Sequence, residues 1–482
     1  MVLSYERKLR RHKEYEKQIC DGKGRIMEKH KHERSTFSGK IGFVLSAAGA
    51  SVGLGNIWRF PYLAAKYGGG IFLLIYIILA LTFGYSMIVA ETALGRMTKK
   101  SPVGAFGTFG KSKWLSLGGW INAIIPVLIV PYYSVIGGWV IKYLVEYVKG
   151  GSQTLAEDGY FSAFIADGFS TETCFMFFTL LTLVIIYAGV QNGVERVSKL
   201  MMPILVFLSV VIVIYSVTRP GALEGVKYFL IPNIKNFSWM TVVAAMGQMF
   251  YSMSLAMGIM ITYGSYTRDD VSLVKSVNGI EIFDTGIALL AGMMVVPAVY
   301  IFSGEAGTSQ SGAGLMFMTL PKVFSQMPGG RFIGFMFFAL VFLAALTSSV
   351  SIMEAITSML IDRFHISRVL SCAIIIVVAV VLGIPCSLGN GIWSHITIMG
   401  MDFLTFFDFI SNSLLLPVVA FFTCIMIGWF VGADYIIDEA AKNGEKFGRE
   451  KIYRVMVKYI APVLLLIILV FYTLAQFGII KY

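Results

Sequence analysis

The sequence predicts an all-α integral membrane protein with about eleven transmembrane helices, each of roughly 20 apolar residues. Three observations support this fold class. The chain of 482 residues is 57% hydrophobic and only 14% charged, whereas soluble domains carry about 25% charged residues. Long apolar runs recur along the chain, and small residues interrupt two of them. The composition excludes a string of soluble domains, a disordered chain and a secreted disulfide-rich scaffold.

A basic tail precedes the first apolar run. Residues 1–39 contain eleven Lys or Arg and six Asp or Glu, so they carry a net charge of +5. Because Lys and Arg keep membrane-flanking segments inside the cell, residues 1–39 are predicted to be a cytoplasmic amino-terminal tail. A basic arm can also bind nucleic acid, but the topological explanation needs no such partner, and no nucleic-acid partner is expected.

The apolar runs that predict membrane-spanning helices lie near residues 40–63, 70–94, 117–147, 172–190, 197–217, 241–266, 279–303, 331–361, 367–385, 403–430 and 451–478. The more basic connections all fall on the side of the amino terminus. This side is therefore predicted to be the cytoplasm and, since the number of runs is odd, the carboxyl terminus is predicted to be extracellular. The expected location is the plasma membrane, with the lipid bilayer as a partner.

The first and the sixth run contain sequences that break a helix. Residues 49–56 read GASVGLGN and are followed by WRFP, and residues 251–258 read YSMSLAMG. Each glycine costs about 1 kcal/mol relative to alanine in a helix. Close packing of helices through small residues is one explanation. The clusters lie five spans apart, however, a spacing typical of inverted repeats whose interrupted helices form a binding site near the bilayer midplane.

An interrupted helix exposes backbone groups that can bind ligands. Free N–H groups at a helix amino terminus suit a carboxylate, and carbonyls with Ser, Thr, Asn or Asp oxygens suit a hard cation such as sodium. A zwitterionic amino acid together with sodium would satisfy both. The ionisable residues in or beside apolar runs are functional candidates, since charge is costly there; they are Arg59, Glu91, Asp284, Glu354 and Asp408. For Glu91 and Glu354 a structural role, accepting backbone N–H bonds, is equally open.

The sequence contains neither a phosphate-binding glycine loop nor a His/Cys cluster with zinc spacing. No nucleophile paired with a base emerges either, and an enzyme is not predicted.

Several motifs resemble the neurotransmitter:sodium symporter family, including its prokaryotic amino-acid transporters such as the bacterial leucine transporter. They are residues 49–61, Gly68-Gly69-Gly70, ETALGR at 91–96, PYY at 131–133, Gly247-Gln248, TYGSY at 262–266, LTSS at 346–349 and GAD at 432–434. The resemblance implies sodium-coupled amino-acid uptake. It also implies two five-helix inverted repeats, here residues 40–217 and 241–430. The second would include an extracellular cap at 304–330, and residues 431–482 would form a cytoplasmic loop and the last helix.

The same resemblance implies the site residues. Those expected to bind the substrate are Ser51, Leu54, Gly55, Ile129, Tyr133, Tyr251, Ser252, Ser254, Met257, Ser348 and Ile352. Those expected to bind two sodium ions are Gly49, Ser51, Val52, Asn56, Ser252, Asp284, Ala344, Thr347 and Ser348. An external gate would comprise Arg59 and Asp408 above Tyr133 and Tyr251. An internal gate would comprise Arg34 with Asp362, supported by Phe37 and Tyr266.

Three departures from the family pattern refine these expectations. Asp284 stands where many members have Asn, so its carboxylate could replace the chloride that eukaryotic members use, and no chloride requirement is expected. The predicted pocket contains no Lys or Arg, which favours a neutral, large apolar or aromatic amino acid. The chain ends after its eleventh predicted helix, whereas many relatives have twelve, and the oligomeric state stays open.

Two other functions are compatible with these residues. A non-transporting amino-acid sensor would keep the pocket but lack coupling to sodium. A channel would need a continuous polar lining, whereas the sequence has local breaks flanked by bulky Tyr and Phe. Alternating access, with sodium and substrate bound together, is the expected mechanism.

Overall fold

A computed structural model describes residues 34–109, 113–307 and 314–476. Most of the predicted tail at 1–39, six residues of the predicted cap at 304–330 and the end of the last predicted helix lie outside these ranges. By their internal contacts, Met1–Ser35 and Thr36–Tyr482 are two separate units. All of the helices given below belong to the second unit.

The described residues form helices joined by short connections, and they contain no β-strand beyond two isolated bridges. Nine helices are long and apolar enough to cross a membrane. In chain order with the shorter helices that interrupt two spans, the helices are α1 Lys40–Ser51, α2 Gly55–Lys66, α3 Gly70–Thr98, α4 Ser116–Lys149, α5 Gly168–Tyr187, α6 Val190–Val217, α7 Trp239–Ser252, α8 Ile259–Tyr266, α9 Leu273–Ile301, α10 Gly330–Phe364, α11 Arg368–Leu388, α12 Phe403–Ala440 and α13 Glu450–Leu474.

The all-α membrane fold is confirmed, and the spans agree closely with the predicted runs. Helices α1 and α2 form a tenth span if the pair, bent by 51°, is counted as one. Helices α7 and α8 are only 14 and 8 residues long, so neither meets a length criterion alone, and the predicted number of eleven stays a prediction.

The connections differ from the prediction at two places. Helix α12 continues through Ala440, so the loop predicted from residue 431 begins as helix. The helix that starts at Leu273 continues to Gly307, and short helices at Leu315–Thr319 and Leu320–Gln326 follow, so much of the predicted cap is helical. Neither extension carries a long apolar run, which is why hydropathy alone did not reveal it.

Glycines allow α3 and α8 to pack backbone against backbone. A Cβ on Gly95 would collide with the carbonyl oxygen of Ile261, and a Cβ on Gly264 would collide with that of Thr92. Small residues let membrane helices approach this closely. This contact fixes α8 firmly against α3 on one side of the break.

Both interrupted helices break where the sequence predicts. The first span stops at Ser51 and resumes at Gly55, and the second stops at Ser252 and resumes at Ile259. Within the second break Ser254, Ala256 and Gly258 have φ of 50°, 59° and 75°. This left-handed region costs a non-glycine residue roughly 1–2 kcal/mol, so the surroundings must hold the backbone in place.

Side chains supply that support. The carboxylate oxygen Oε1 of Glu91, a fully buried residue of α3, accepts the Ala256 N–H at 2.8 Å. Ser254 Oγ donates to the Ala50 carbonyl at 2.9 Å, and Gln248 Nε2 donates to the Gly55 carbonyl at 2.8 Å. The last two bonds join the two breaks to each other, and the structural role considered for Glu91 agrees with its contact.

Candidate functional site

A cavity of about 300 Å³ lies between the two breaks. Its lining residues are Ala50, Ser51, Gly53, Leu54, Gly55, Ile129, Tyr133, Tyr251, Ser254, Met257, Ser348 and Ile352. Ten of the eleven residues predicted to bind the substrate are in this set. The eleventh, Ser252, lies in a polar cluster nearby. The tertiary structure thus brings residues from five separate helices and breaks around one small space.

One end of the cavity presents backbone donors. The N–H of Leu54 points to the hydroxyl of Tyr133 at 3.3 Å, directly before α2 begins at Gly55. The first N–H groups of a helix lack partners within it, and the helix dipole adds a partial positive charge there. Together with the Tyr133 hydroxyl, this end could bind a carboxylate.

The remaining walls are mainly apolar and aromatic. Ile129 from α4, Met257 from the second break and Ile352 from α10 face the cavity together with the ring of Tyr251. No Lys, Arg, Asp or Glu of the described residues is among its lining residues. Since a buried charge needs a partner, this cavity suits an uncharged side chain.

A first oxygen cluster surrounds Asp284. Ser252 Oγ and Asn56 Nδ2 each donate to Asp284 Oδ1 at 2.8 Å, and the hydroxyl of Tyr76 donates to Oδ2 at 3.1 Å. All four residues are almost completely buried. Within the part of the chain that the structure describes, no Lys or Arg forms an ion pair with Asp284.

The geometry of this cluster suits a small cation. Asn56 Nδ2 lies 2.8 Å from Ser252 Oγ, 2.8 Å from Asp284 Oδ1 and 3.2 Å from the Asp284 carbonyl oxygen. Rotation of the amide would turn its oxygen toward the same point, giving an all-oxygen site of the type that hard cations prefer. A buried carboxylate without a protein cation is costly, so a bound cation would stabilise the site.

A second oxygen cluster lies where the first break meets α10. Ser348 Oγ lies 3.2 Å, 3.1 Å and 3.3 Å from the carbonyl oxygens of Gly49, Ala50 and Val52. One hydroxyl donates one proton, so it cannot satisfy three acceptors at once. Thr347 Oγ1 lies 3.1 Å from the Ala344 carbonyl oxygen. This convergence of neutral oxygens could hold a second hard cation.

The residues of the predicted external gate lie beside the cavity. The guanidinium of Arg59 sits 5.3 Å from the centre of the Tyr251 ring. Asp408 accepts from Asn412 Nδ2 at 2.6 Å, and the same nitrogen lies 2.9 Å from the hydroxyl of Tyr132. In the described ranges no ion pair within 4.0 Å joins Arg59 to Asp408. Arg59 therefore packs on the aromatic ring that it shares with the cavity.

The residues of the predicted internal gate form an aromatic contact. The rings of Phe37 and Tyr266 lie 6.0 Å apart, and the Phe37 N–H donates to the Tyr266 carbonyl at 3.0 Å. The hydroxyl of Tyr266 donates to Glu354 at 2.9 Å, and Glu354 is in turn paired with Arg368 at 2.7 Å.

The ionic part of the internal gate stays a prediction. Asp362 accepts the Ser101 N–H at 2.7 Å. Arg34, the predicted partner of Asp362, belongs to the separate unit Met1–Ser35.

Sequence reasoning did not assign three residues that the structure brings to these sites. Tyr76 lies inside an uninterrupted apolar run, and only its hydroxyl distinguished it from core packing. Gln248 was part of a recognised motif, but its contact with the Gly55 carbonyl joins two distant segments. Arg368, which pairs with Glu354, was counted only as a cation of a connection. Such contacts between distant segments leave no spacing signal in a single sequence.

Comparisons with known proteins agree with this geometry. A model of the sodium:neurotransmitter symporter family matches residues 34–153 and 165–482. The sodium-dependent transporter YhdH of Bacillus subtilis is 34% identical over 445 residues, which cover 90% of this chain and 96% of that protein. A sodium-dependent transporter of Haemophilus influenzae is 32% identical over 464 residues, covering 92% and 99% of the two chains.

A solved structure is also similar. The crystal structure of MhsT in complex with L-phenylalanine superposes with a TM-score of 0.83 at 33% sequence identity, covering 91% of this chain and 99% of that chain.

Proposed function

The chain belongs to the sodium:neurotransmitter symporter family, and on this premise we propose that it couples sodium entry to the uptake of a neutral, large apolar or aromatic amino acid. It is a sodium-dependent, multi-pass membrane transporter and not an enzyme. The observation that carries the proposal is the cavity between the two breaks, which combines a donor-rich end with apolar walls.

The cavity matches the two ends of such a substrate. The carboxylate would bind at the Leu54 and Gly55 N–H groups and the Tyr133 hydroxyl, and the amino group would bind near the carbonyls of Ser51 and Tyr251. The apolar side chain would lie against the remaining walls, where Met257 can adapt to its shape. The phenylalanine bound by the similar MhsT supports an aromatic or large apolar side chain.

Two sodium ions would bind at the two oxygen clusters. The first ion would be held by the Ser51 carbonyl, Asn56, Ser252, Asp284 and the substrate carboxylate. The second would be held by the Gly49, Val52 and Ala344 carbonyls with the Thr347 and Ser348 hydroxyls. Because the carboxylate would complete the first ion's shell, sodium and substrate would each raise the affinity of the other by the same factor.

Asp284 supports chloride-independent transport. At an effective dielectric of 20, two unit charges about 4 Å apart attract by roughly 4 kcal/mol, so this resident carboxylate can neutralise the sodium charge without a halide. The paired external and internal gates would open alternately, and sodium would enter down its electrochemical gradient, gaining about 2.3 kcal/mol per charge for each 100 mV.

The orientation follows the charge pattern. The excess of Lys and Arg on the amino-terminal side supports a cytoplasmic amino terminus in the plasma membrane, and an odd number of spans would leave the carboxyl terminus extracellular.

Uptake by proteoliposomes tests the proposal. A sodium gradient should drive accumulation of labelled phenylalanine above its outside concentration, and replacement of chloride by gluconate should leave the rate unchanged. Unlabelled leucine, tyrosine and tryptophan should compete, whereas glycine and glutamate should not. A channel would equilibrate but not concentrate the amino acid, and a sensor would bind it without uptake, so either result would overturn the proposal.

A further inference from the structure

A buried carboxylate holds the segment that precedes α1. Glu195, near the start of α6, accepts the N–H of Ser38 at 2.9 Å and also contacts the Ser38 hydroxyl. Its side chain is only 2% exposed, while its ion-pair partner Lys199, 2.6 Å away, is 41% exposed. Gln191 Nε2 adds a bond to the Thr36 carbonyl at 2.7 Å. This carboxylate therefore lies inside the protein, with a cation that reaches toward the surface.

A continuous seam joins Glu195 to the second oxygen cluster. Gly42, Ser46 and Gly49 recur at spacings of four and three and so share one face of α1. A Cβ on Gly42 would collide with the Glu195 carboxylate, and a Cβ on Gly49 would lie 3.6 Å from Ser198 Oγ. Helix α1 thus packs along the same face of α6 from the carboxylate up to the oxygen cluster at Gly49.

Ser46 leaves an unpaired oxygen in the middle of this seam. Its hydroxyl is completely buried and has no hydrogen-bond partner within the described residues. Other buried serines on the two helices, Ser51 and Ser198, donate to the carbonyl four residues earlier at 3.1 Å and 2.8 Å. A buried hydroxyl without a partner costs about 1–3 kcal/mol, and such a group in a native protein indicates that something else binds there.

We propose that the seam between α1 and α6 conducts the sodium ion of the second cluster inward, with the Ser46 hydroxyl and the Glu195 carboxylate as successive oxygen ligands. This inference rests on the proposed function, since it needs a transported sodium ion. The carboxylate is a transient monovalent-cation site, and the ion competes there with Lys199. Arrival of the ion also weakens the hold of Glu195 on Ser38, which frees the segment before α1 to move.

The test measures inhibition by internal sodium. Proteoliposomes take up labelled phenylalanine at a fixed external sodium concentration while the internal sodium concentration is varied. Glu195→Gln removes the charge and should raise the internal sodium concentration that halves uptake, by about two- to fivefold, the range for a partly solvated charge pair. Lys199→Gln removes the competitor and should lower that concentration. Sodium-dependent phenylalanine binding at equilibrium should stay unchanged in both variants.

The opposite directions separate a cation site from a structural latch. If Glu195 only fastens Ser38, both variants weaken the same contact, and internal sodium inhibition would move in the same direction or not at all; either result overturns the proposal. Ser46→Ala should shift inhibition as Glu195→Gln does. Ser209→Ala, a buried serine of α6 that bonds the Leu205 carbonyl at 2.8 Å, is the matched control and should not shift it.

Failure of the proposed function gives a different result. A wild-type protein without sodium-dependent uptake would overturn both proposals together. A sodium-coupled wild type with like-directed Glu195→Gln and Lys199→Gln variants would overturn only this one.

Discussion

Single residues determine which ions the site can hold. Asp284 accepts three hydrogen bonds in a buried cluster, and within the described ranges it has no cationic partner. Ser348 faces three carbonyl oxygens with one proton to donate. Both arrangements have an excess of electron pairs. The excess charge at one cluster and the neutrality of the other predict different responses to substitution.

Asp284→Asn should convert a chloride-independent transporter into one that chloride stimulates. Loss of the carboxylate removes an attraction of up to about 4 kcal/mol at 4 Å, so half-maximal sodium activation should also require a concentration about tenfold higher. Initial uptake rates in chloride and in gluconate measure both effects. Asp167→Asn is the control, because Asp167 caps α5 at its amino terminus and Asn caps equally well. Unchanged ion kinetics in Asp284→Asn would contradict the role of Asp284.

Thr347→Ala should weaken sodium activation without unfolding the protein. A hydrogen-bonding group that contacts a charge contributes about 1.5–3 kcal/mol, so sodium affinity should fall roughly ten- to hundredfold. Sodium titration of phenylalanine binding gives the affinity. Thr357→Ala, ten residues further along the same helix with its hydroxyl bonded to the Met353 carbonyl at 2.9 Å, should behave as the wild type. Normal sodium activation of Thr347→Ala would remove Thr347 from the second site.

At the scale of whole elements, the interrupted helices are held apart by specific contacts. The break between α7 and α8 contains three left-handed residues, and Glu91 secures it through the Ala256 N–H. Strained backbone of this kind persists only where the surrounding structure fixes it. The break therefore depends on its glycine and on its neighbours, rather than on the propensity of the two short helices.

Gly258→Ala should damage the break. The residue has φ of 75°, and an added Cβ would lie 2.5 Å from Asn122 Oδ1 and 2.8 Å from Pro102 Cγ. Strain of about 1–2 kcal/mol plus these contacts should lower the Tm and reduce phenylalanine binding. Gly286→Ala in α9, where a Cβ meets nothing within 4 Å, should leave both unchanged or raise the Tm. Equal behaviour of the two variants in a thermal-shift and binding assay would refute this role of Gly258.

For the whole molecule, coupling is an equilibrium between ligands that share atoms. The cavity and the first oxygen cluster lie on either side of the first break, so one ligand can complete the binding site of the other. The rest of the bundle must then hold several helices in a single arrangement. A ligand that binds only this arrangement stabilises it.

Sodium and phenylalanine together should raise the Tm by more than the sum of their separate effects. At a concentration 100 times its Kd a ligand adds about 2.7 kcal/mol to stability, and reciprocity increases each affinity in the presence of the other. Thermal shifts in sodium, in potassium and in each with phenylalanine measure this. Strictly additive shifts would show that the two ligands do not share a site.

The sequence by itself determined the membrane class, the approximate spans and the two breaks. These depend on local properties, namely the length of apolar runs and the cost of clustered glycines in a helix, which a single segment reveals. Resemblance added ten residues that now line one cavity.

Only the tertiary structure decided which distant groups meet. Tyr76 reaches Asp284 across about 200 positions of sequence, Gln248 joins the two breaks, and Glu195 holds Ser38. Each contact depends on how whole helices pack, and helix packing is set by the combined shape of many side chains rather than by a pattern within one segment. The same reason explains why the unpaired hydroxyl of Ser46 is visible only in the folded protein.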